Sequence, residues 1–117
     1  VHGSGLDELT LAGPTTVAEL DAGAVRTFTI VPEDAGLASA SLEALRGGDP
    51  QANAALAREV LSGAPGPKRD VVLLNAAAAL VVSGRAKDLR DGARQAAAAI
   101  DDGRAVRLLD RVKEALA

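Results

Sequence analysis

The apolar residues change their spacing part-way along the chain, and the change divides it into two regimes. In the first, valine, threonine and isoleucine cluster in short runs. Thr15 to Leu20 and Val25 to Val31 are two such runs, parted by Asp21-Ala22-Gly23-Ala24, which is the pattern of a β-hairpin. A further short strand is expected at Leu9 to Leu11, ended by the Gly13-Pro14 turn signal. In the second hairpin arm Arg26, Phe28 and Ile30 share one face, while Val25, Thr27, Thr29 and Val31 share the other. Both faces are mixed, so alternation alone does not say which is buried. Phe28, the single aromatic, is expected to fill volume in the core.

From Pro32 onward the strand pattern does not return. Pro32 to Gly36 reads as a connector, and Ser39 to Arg46 as a short helix closed by Gly47 or Gly48. Asp49-Pro50 then pairs a preferred N-cap with a residue suited to the first helical turn, and predicts a helix to about Leu61. Ser62 to Pro67 breaks it. The next helix, from about Lys68 to Ser83 and stopped by Gly84, is apolar nearly all round between Val71 and Val82, so burial on most of its surface is expected. Residues 87 to 117 read as two more helices, the first capped by Asp88, with Asp101-Asp102-Gly103 at the junction. Val106, Leu109, Val112 and Leu116 give the last helix its apolar spacing.

Composition narrows the function classes. A net charge of −3 and a single aromatic argue against a nucleic-acid partner, which would demand a basic patch with stacking rings. Arg104, Arg107, Arg111 and Lys113 do form a stripe, but Asp101, Asp102, Asp110 and Glu114 interleave with it and make it a solvated face. No cysteine is present, which removes disulfides and thiolate metal sites and suits a reducing cytoplasm. The longest apolar run is interrupted by Asn75 and falls short of the ~20 residues that span a bilayer, so no membrane partner is expected. The chain opens at Val1, in what reads as a strand-to-loop junction, which carries the expectation of an upstream segment.

Chemistry concentrates in the first nine residues. Asp7 and Glu8 are adjacent carboxylates after Gly3 and Gly5, whose backbones can turn sharply. Magnesium takes hard oxygen ligands, keeps several waters and is commonly held by one or two carboxylates plus substrate phosphates. In a regular strand the two side chains would point to opposite faces, so joint action requires a turn or ligation through water. Read alone, the pair competes with an ordinary solvated loop. Other candidates are thinner. His2, the only histidine, is better explained by a structural hydrogen bond than by a substrate contact, and it has no partners for a zinc set. Ser4 makes no credible triad with it. Gly47-Gly48-Asp49 resembles a piece of a phosphate loop, but an aspartate at a helix start would occupy the donors and repel the anion, which favours a cap. Asn75, in the apolar helix, is expected to bond to a neighbouring backbone group, because an unpaired buried amide costs ~1–3 kcal/mol.

Three ordered motifs, VHGSGLDEL at 1–9, SLEALRGGDPQANA at 41–54 and RDVVLLNAAAAL at 69–80, together resemble the C-terminal part of the anthranilate phosphoribosyltransferase family over nearly the whole chain. The resemblance implies the fold: the C-terminal portion of a phosphoribosyltransferase α/β domain of the nucleoside-phosphorylase-like type, here a few strands with an antiparallel hairpin followed by four or five helices. It implies a single partial domain, with the metal turn and hairpin in residues 1–36 and a helical part in 37–117. It assigns magnesium to Asp7 and Glu8, alongside phosphoribosyl pyrophosphate, and implies transfer of the phosphoribosyl group to anthranilate in tryptophan biosynthesis. No residue here matches the family's glycine-rich pyrophosphate loop, its lysine-histidine-glycine segment, its anthranilate-binding arginine or its N-terminal helical domain. The fragment alone is therefore expected to be inactive, and a homodimer is expected only of the full-length enzyme. No general base and no other catalytic residue is assigned. Two alternatives stay open at this point: another phosphoribosyltransferase or nucleoside phosphorylase of the same superfamily, and a non-catalytic helical interaction module.

Overall fold

A computed structural model describes residues 1–117. Three antiparallel strands, β1 (His2–Gly3), β2 (Thr15–Asp21) and β3 (Ala24–Ile30), form one sheet in the order β1-β2-β3. Two single 3₁₀ turns follow, Pro32–Ala35 and Leu42–Leu45. Four helices complete the chain: α1 (Pro50–Leu61), α2 (Pro67–Val82), α3 (Leu89–Asp101) and α4 (Arg104–Leu116). The expected helix at 39–46 is only a 3₁₀ turn, capped by the Ser41 hydroxyl, which accepts from the Ala44 amide at 3.3 Å.

The hairpin turns on two residues, Ala22 (φ 47°) and Gly23 (φ 83°). Positive φ at both central positions is the type I′ geometry, whose twist matches that of the strands it joins. Register answers the question the alternation left open. Thr15 faces Ile30, Val17 faces Phe28 and Glu19 faces Arg26, and this is the inward face at its Thr15 end. The opposite face, from Thr16 to Leu20 and from Val25 to Thr29, is exposed, Leu20 and Val25 at 72% and 70%. Phe28 is half-buried and lies outside the central cluster; its ring lies 4.9 Å beneath the Arg26 guanidinium, which pairs with Glu19. A cation over the ring takes the place that core packing was expected to fill.

Leu9 to Leu11 is not a strand. Leu9, Thr10 and Leu11 are buried, at 3%, 0% and 0% exposure, yet their main-chain groups find partners singly rather than along a ladder. The Thr10 amide donates to Thr15 Oγ1 at 3.2 Å, the Leu11 carbonyl accepts from Ala40 N at 2.9 Å, and Leu9 bonds to Asn75. Buried main chain must be paired, and two side chains and one distant main-chain amide do here what a neighbouring strand does elsewhere.

Asp49 and Asp88 cap α1 and α3, accepting from Ala52 N at 2.8 Å and Asp91 N at 2.7 Å. Leu9, Leu11 and Ala35 pack with Leu74, Ala77 and Ala93 in the main cluster, so the loop after β1 rests on α2 and α3. Leu73, Ala96 and Ile100 form a second cluster between the same helices. At their closest approach a Cβ on Gly92 would lie 2.8 Å from Ala77 Cα and carbonyl oxygen, so only glycine fits. Arg69 adds a two-pronged bond to Asp101 at 2.7 and 3.0 Å. The all-round burial expected for α2 does not occur: Leu73, Leu74 and Ala77 are buried, whereas Val72, Ala79 and Val82 are exposed. The chain places α3 and the loop on one side of α2 and supplies no full layer for the other. α4 buries no residue, and Leu108, Val112 and Leu116 are exposed along it.

Candidate metal centre

The first nine residues fold into a turn and a bend. Gly3 and Leu6 exchange both main-chain bonds, Gly3 N to Leu6 O at 3.1 Å and Leu6 N to Gly3 O at 3.0 Å. Between them Ser4 (φ 51°) and Gly5 (φ 94°) carry the positive φ values of a second type I′ turn. The two glycines therefore serve different needs. Gly5 supplies the left-handed backbone. Gly3 has no positive φ, but a Cβ there would lie 2.5 Å from the Glu8 carbonyl oxygen and 2.9 Å from Thr10 Cβ and Cγ2. The Ser4 hydroxyl donates to Pro14 O at 3.2 Å and ties the turn to the start of β2.

Asp7 and Glu8 lie in the bend that follows, outside any strand, so the alternation of a regular strand does not apply to them. Both are exposed, and no ion pair or side-chain hydrogen bond engages either carboxylate. Downstream the chain is caught at once: Asn75 on α2 accepts from Leu9 N at 3.1 Å through Oδ1 and donates to Leu9 O at 3.0 Å through Nδ2. No three His, Asp or Glu side chains come together as a cage. The donor set still fits magnesium: two uncommitted hard-oxygen ligands facing solvent leave the rest of an octahedral shell to water and phosphate oxygens.

The remaining candidates fall elsewhere. His2 is exposed on β1 and its imidazole makes no hydrogen bond, contrary to the structural bond expected of it. At Gly47-Gly48-Asp49 the donors are taken internally. Asn53 accepts from Gly48 N at 2.8 Å and donates to Gly48 O at 3.0 Å, while Asp49 caps α1, so the segment is a helix start and not a phosphate loop. Lys68, which sequence reasoning passed over, donates to Ala44 O at 3.0 Å and Arg46 O at 2.8 Å, fastening this segment to α2. Its partners are main-chain carbonyls of a 3₁₀ turn, which no residue pattern signals.

Residues 1–106 match the family described as "Glycosyl transferase family, a/b domain". The chain belongs to that family. Among its curated glycosyl transferase relatives, the anthranilate phosphoribosyltransferase of Methylocella silvestris is 60% identical over 116 residues, covering 98% of this chain and 33% of the relative. That of Parvibaculum lavamentivorans is 57% identical over 113 residues, 96% of this chain and 33% of the relative. The crystal structure of anthranilate phosphoribosyltransferase from Thermus thermophilus superposes with a TM-score of 0.85 at 42% identity, covering 94% of this chain and 32% of that one. The Saccharomyces cerevisiae enzyme in complex with PRPP and Mg superposes with a TM-score of 0.81 at 31% identity, covering 93% and 32%. The chain thus spans about a third of the length of the relatives it matches. Its small antiparallel sheet with four helices is consistent with the α/β phosphoribosyltransferase domain of these structures.

Proposed function

We propose that the protein containing this chain transfers the phosphoribosyl group of phosphoribosyl pyrophosphate to anthranilate, releasing pyrophosphate in tryptophan biosynthesis, and that Asp7 and Glu8 hold its magnesium. The observation that carries the assignment of the pair is the pair itself: two solvent-facing carboxylates without protein partners, in a bend whose main chain is bonded on both sides. The relatives' names and the yeast complex with PRPP and Mg support the substrates and the ion.

Bound there, magnesium would supply positive charge to a pyrophosphate leaving group whose negative charge grows as the C–O bond breaks. Asp7 and Glu8 contribute only ligation. The Gly3–Leu6 turn fixes where the bend begins and Leu9 where it ends. No residue of the chain is assigned as a general base. In this reading residues 1–36 carry the metal turn and hairpin and residues 37–117 its helical support. Turnover requires the remainder of the relatives' length, and the complete enzyme is a cytoplasmic homodimer. Two protein carboxylates alone bind magnesium weakly, so tight binding should need the substrate's phosphates.

Equilibrium titration of the full-length protein with magnesium, with and without phosphoribosyl pyrophosphate, tests this. Tight binding only with the pyrophosphate, and loss of it in the Asp7→Ala/Glu8→Ala variant, is expected. Equal affinity in both conditions, or an unaltered double variant, would overturn the assignment.

A further inference from the structure

We infer that Asn75 is a positioning residue for the acid pair, an inference that rests on the proposed metal role of Asp7 and Glu8. Asn75 interrupts the most apolar stretch of α2, between Leu73-Leu74 and Ala76-Ala77. An amide placed there needs partners, and one lies on its own helix: Nδ2 donates to Val71 O at 3.0 Å. Two further bonds reach 66 residues back along the chain. Oδ1 accepts from Leu9 N at 3.1 Å and Nδ2 donates to Leu9 O at 3.0 Å, so one side chain pairs with both main-chain groups of a single residue, as a neighbouring strand would.

The consequence lies one residue upstream. Asp7 and Glu8 are the only residues between two reciprocal pairings, Gly3 with Leu6 through main chain and Leu9 with the Asn75 side-chain amide. The first pairing shapes the turn, which β1 and the Ser4 hydroxyl tie to the start of β2 and not to the helices. The second fastens the end of the bend to α2, which Arg69 and the Gly92–Ala77 contact hold against α3. Asn75 therefore sets where the carboxylates stand relative to the helical part while touching neither of them. An apolar residue of similar size at position 75 would leave the Leu9 N–H and C=O without partners in a part-buried setting, and the segment would shift to find others.

The test is made on the full-length protein, reading binding rather than turnover. The magnesium concentration giving half-maximal binding of phosphoribosyl pyrophosphate is measured for wild type, Asn75→Ala, Asn75→Asp, Asp7→Ala/Glu8→Ala and the triple Ala variant, together with hydrogen exchange at the Leu9 amide. Asn75→Ala should raise that midpoint by about 10-fold or more, as loss of a supporting partner does at other metal sites, and speed Leu9 exchange. Asn75→Asp keeps the acceptor for Leu9 N and loses both donors, so it should shift the midpoint in the same direction, and it serves if Asn75→Ala does not fold. In the triple variant removing Asn75 should add nothing to the loss already caused by Asp7→Ala/Glu8→Ala. Asp49→Ala, which removes the α1 cap, should leave the midpoint unchanged. If the acid-pair variant moves the midpoint and neither Asn75 variant does, the positioning role is wrong while the metal assignment stands. Should Asp7→Ala/Glu8→Ala itself leave the midpoint unmoved, the metal assignment falls and this inference falls with it.

Discussion

Replacing Gly3 by alanine adds one methyl group, and the structure says where it goes. It would meet the Glu8 carbonyl oxygen at 2.5 Å and Thr10 Cβ and Cγ2 at 2.9 Å. Neither neighbour can retreat by turning a side chain. Thr10 is fully buried, its amide bonded to Thr15 Oγ1 and its hydroxyl accepting from Ala12 N at 3.0 Å. The Glu8 carbonyl is main chain, one residue from the Asn75 contact. Relief therefore needs a backbone displacement, and inserting a methyl into a closed site of this kind costs ~1–3 kcal/mol. An alanine where glycine has an ordinary φ would otherwise stabilise by ~0.4–1 kcal/mol, so the sign of the effect is diagnostic. Gly5→Ala is the matched comparison: it has open space around it but φ of +94°, and should cost ~1–2 kcal/mol through backbone strain alone. Denaturant unfolding of both full-length variants, with the magnesium midpoint for phosphoribosyl pyrophosphate binding, separates the two. Both should lose stability, and Gly3→Ala should shift the midpoint further because it pushes directly on the residue carrying one of the acids. A Gly3→Ala variant as stable as wild type, or a larger midpoint shift for Gly5→Ala, would refute the close-approach argument.

Two further outcomes are expected. Asp49→Ala removes the acceptor of the Ala52 amide and should lower stability by ~0.5–2 kcal/mol with turnover of the folded enzyme little changed, whereas Asp7→Ala should spare stability and abolish turnover; thermal unfolding and steady-state rates on both variants check this, and the reverse pattern would return Gly47-Gly48-Asp49 to the site. Hydrogen bonding from Arg69 holds the Asp101 carboxyl below its ordinary 3.8, so the pair contributes stability that is present above that value and lost as pH falls through the lower folded value. Acid unfolding of Arg69→Ala should accordingly begin from lower stability and fall less steeply below about pH 4 than wild type, and parallel curves would contradict the linkage.

The helical half was largely legible because its signals are local. Asp49-Pro50, Asp88 and Gly84 mark helix ends through bonds to residues within one turn, and the structure puts those ends where the caps stand. The hairpin was legible for the same reason, since the turn that sets its register is two residues long. What escaped depends on partners distant in sequence. Leu9 to Leu11 has the composition of a strand, but its hydrogen bonds go to Thr15, Ala40 and Asn75, and no periodicity encodes such a mixture. Phe28 lies beneath Arg26 of its own strand, which Glu19 pairs with from across the hairpin, and His2 found no acceptor on an edge strand. At the candidate site the acid pair was visible as residues. The requirement for Gly3 and the grip of Asn75 were not, because both are contacts between main chain and groups brought close only by folding.

The seam between α2 and α3 bears on motion. Where Gly92 meets Ala77 the two backbones touch with no side chain between them, so no rotamer can flex to absorb a displacement. Close-packed contacts of this kind have low compressibility and pass strain on rather than damping it. Strain that reaches α3 is therefore passed to α2 at this contact. Because Asn75 rides on α2 and Leu9 packs with Ala93 of α3, a displacement of the two helices together would carry the end of the bend at Asp7-Glu8 with it.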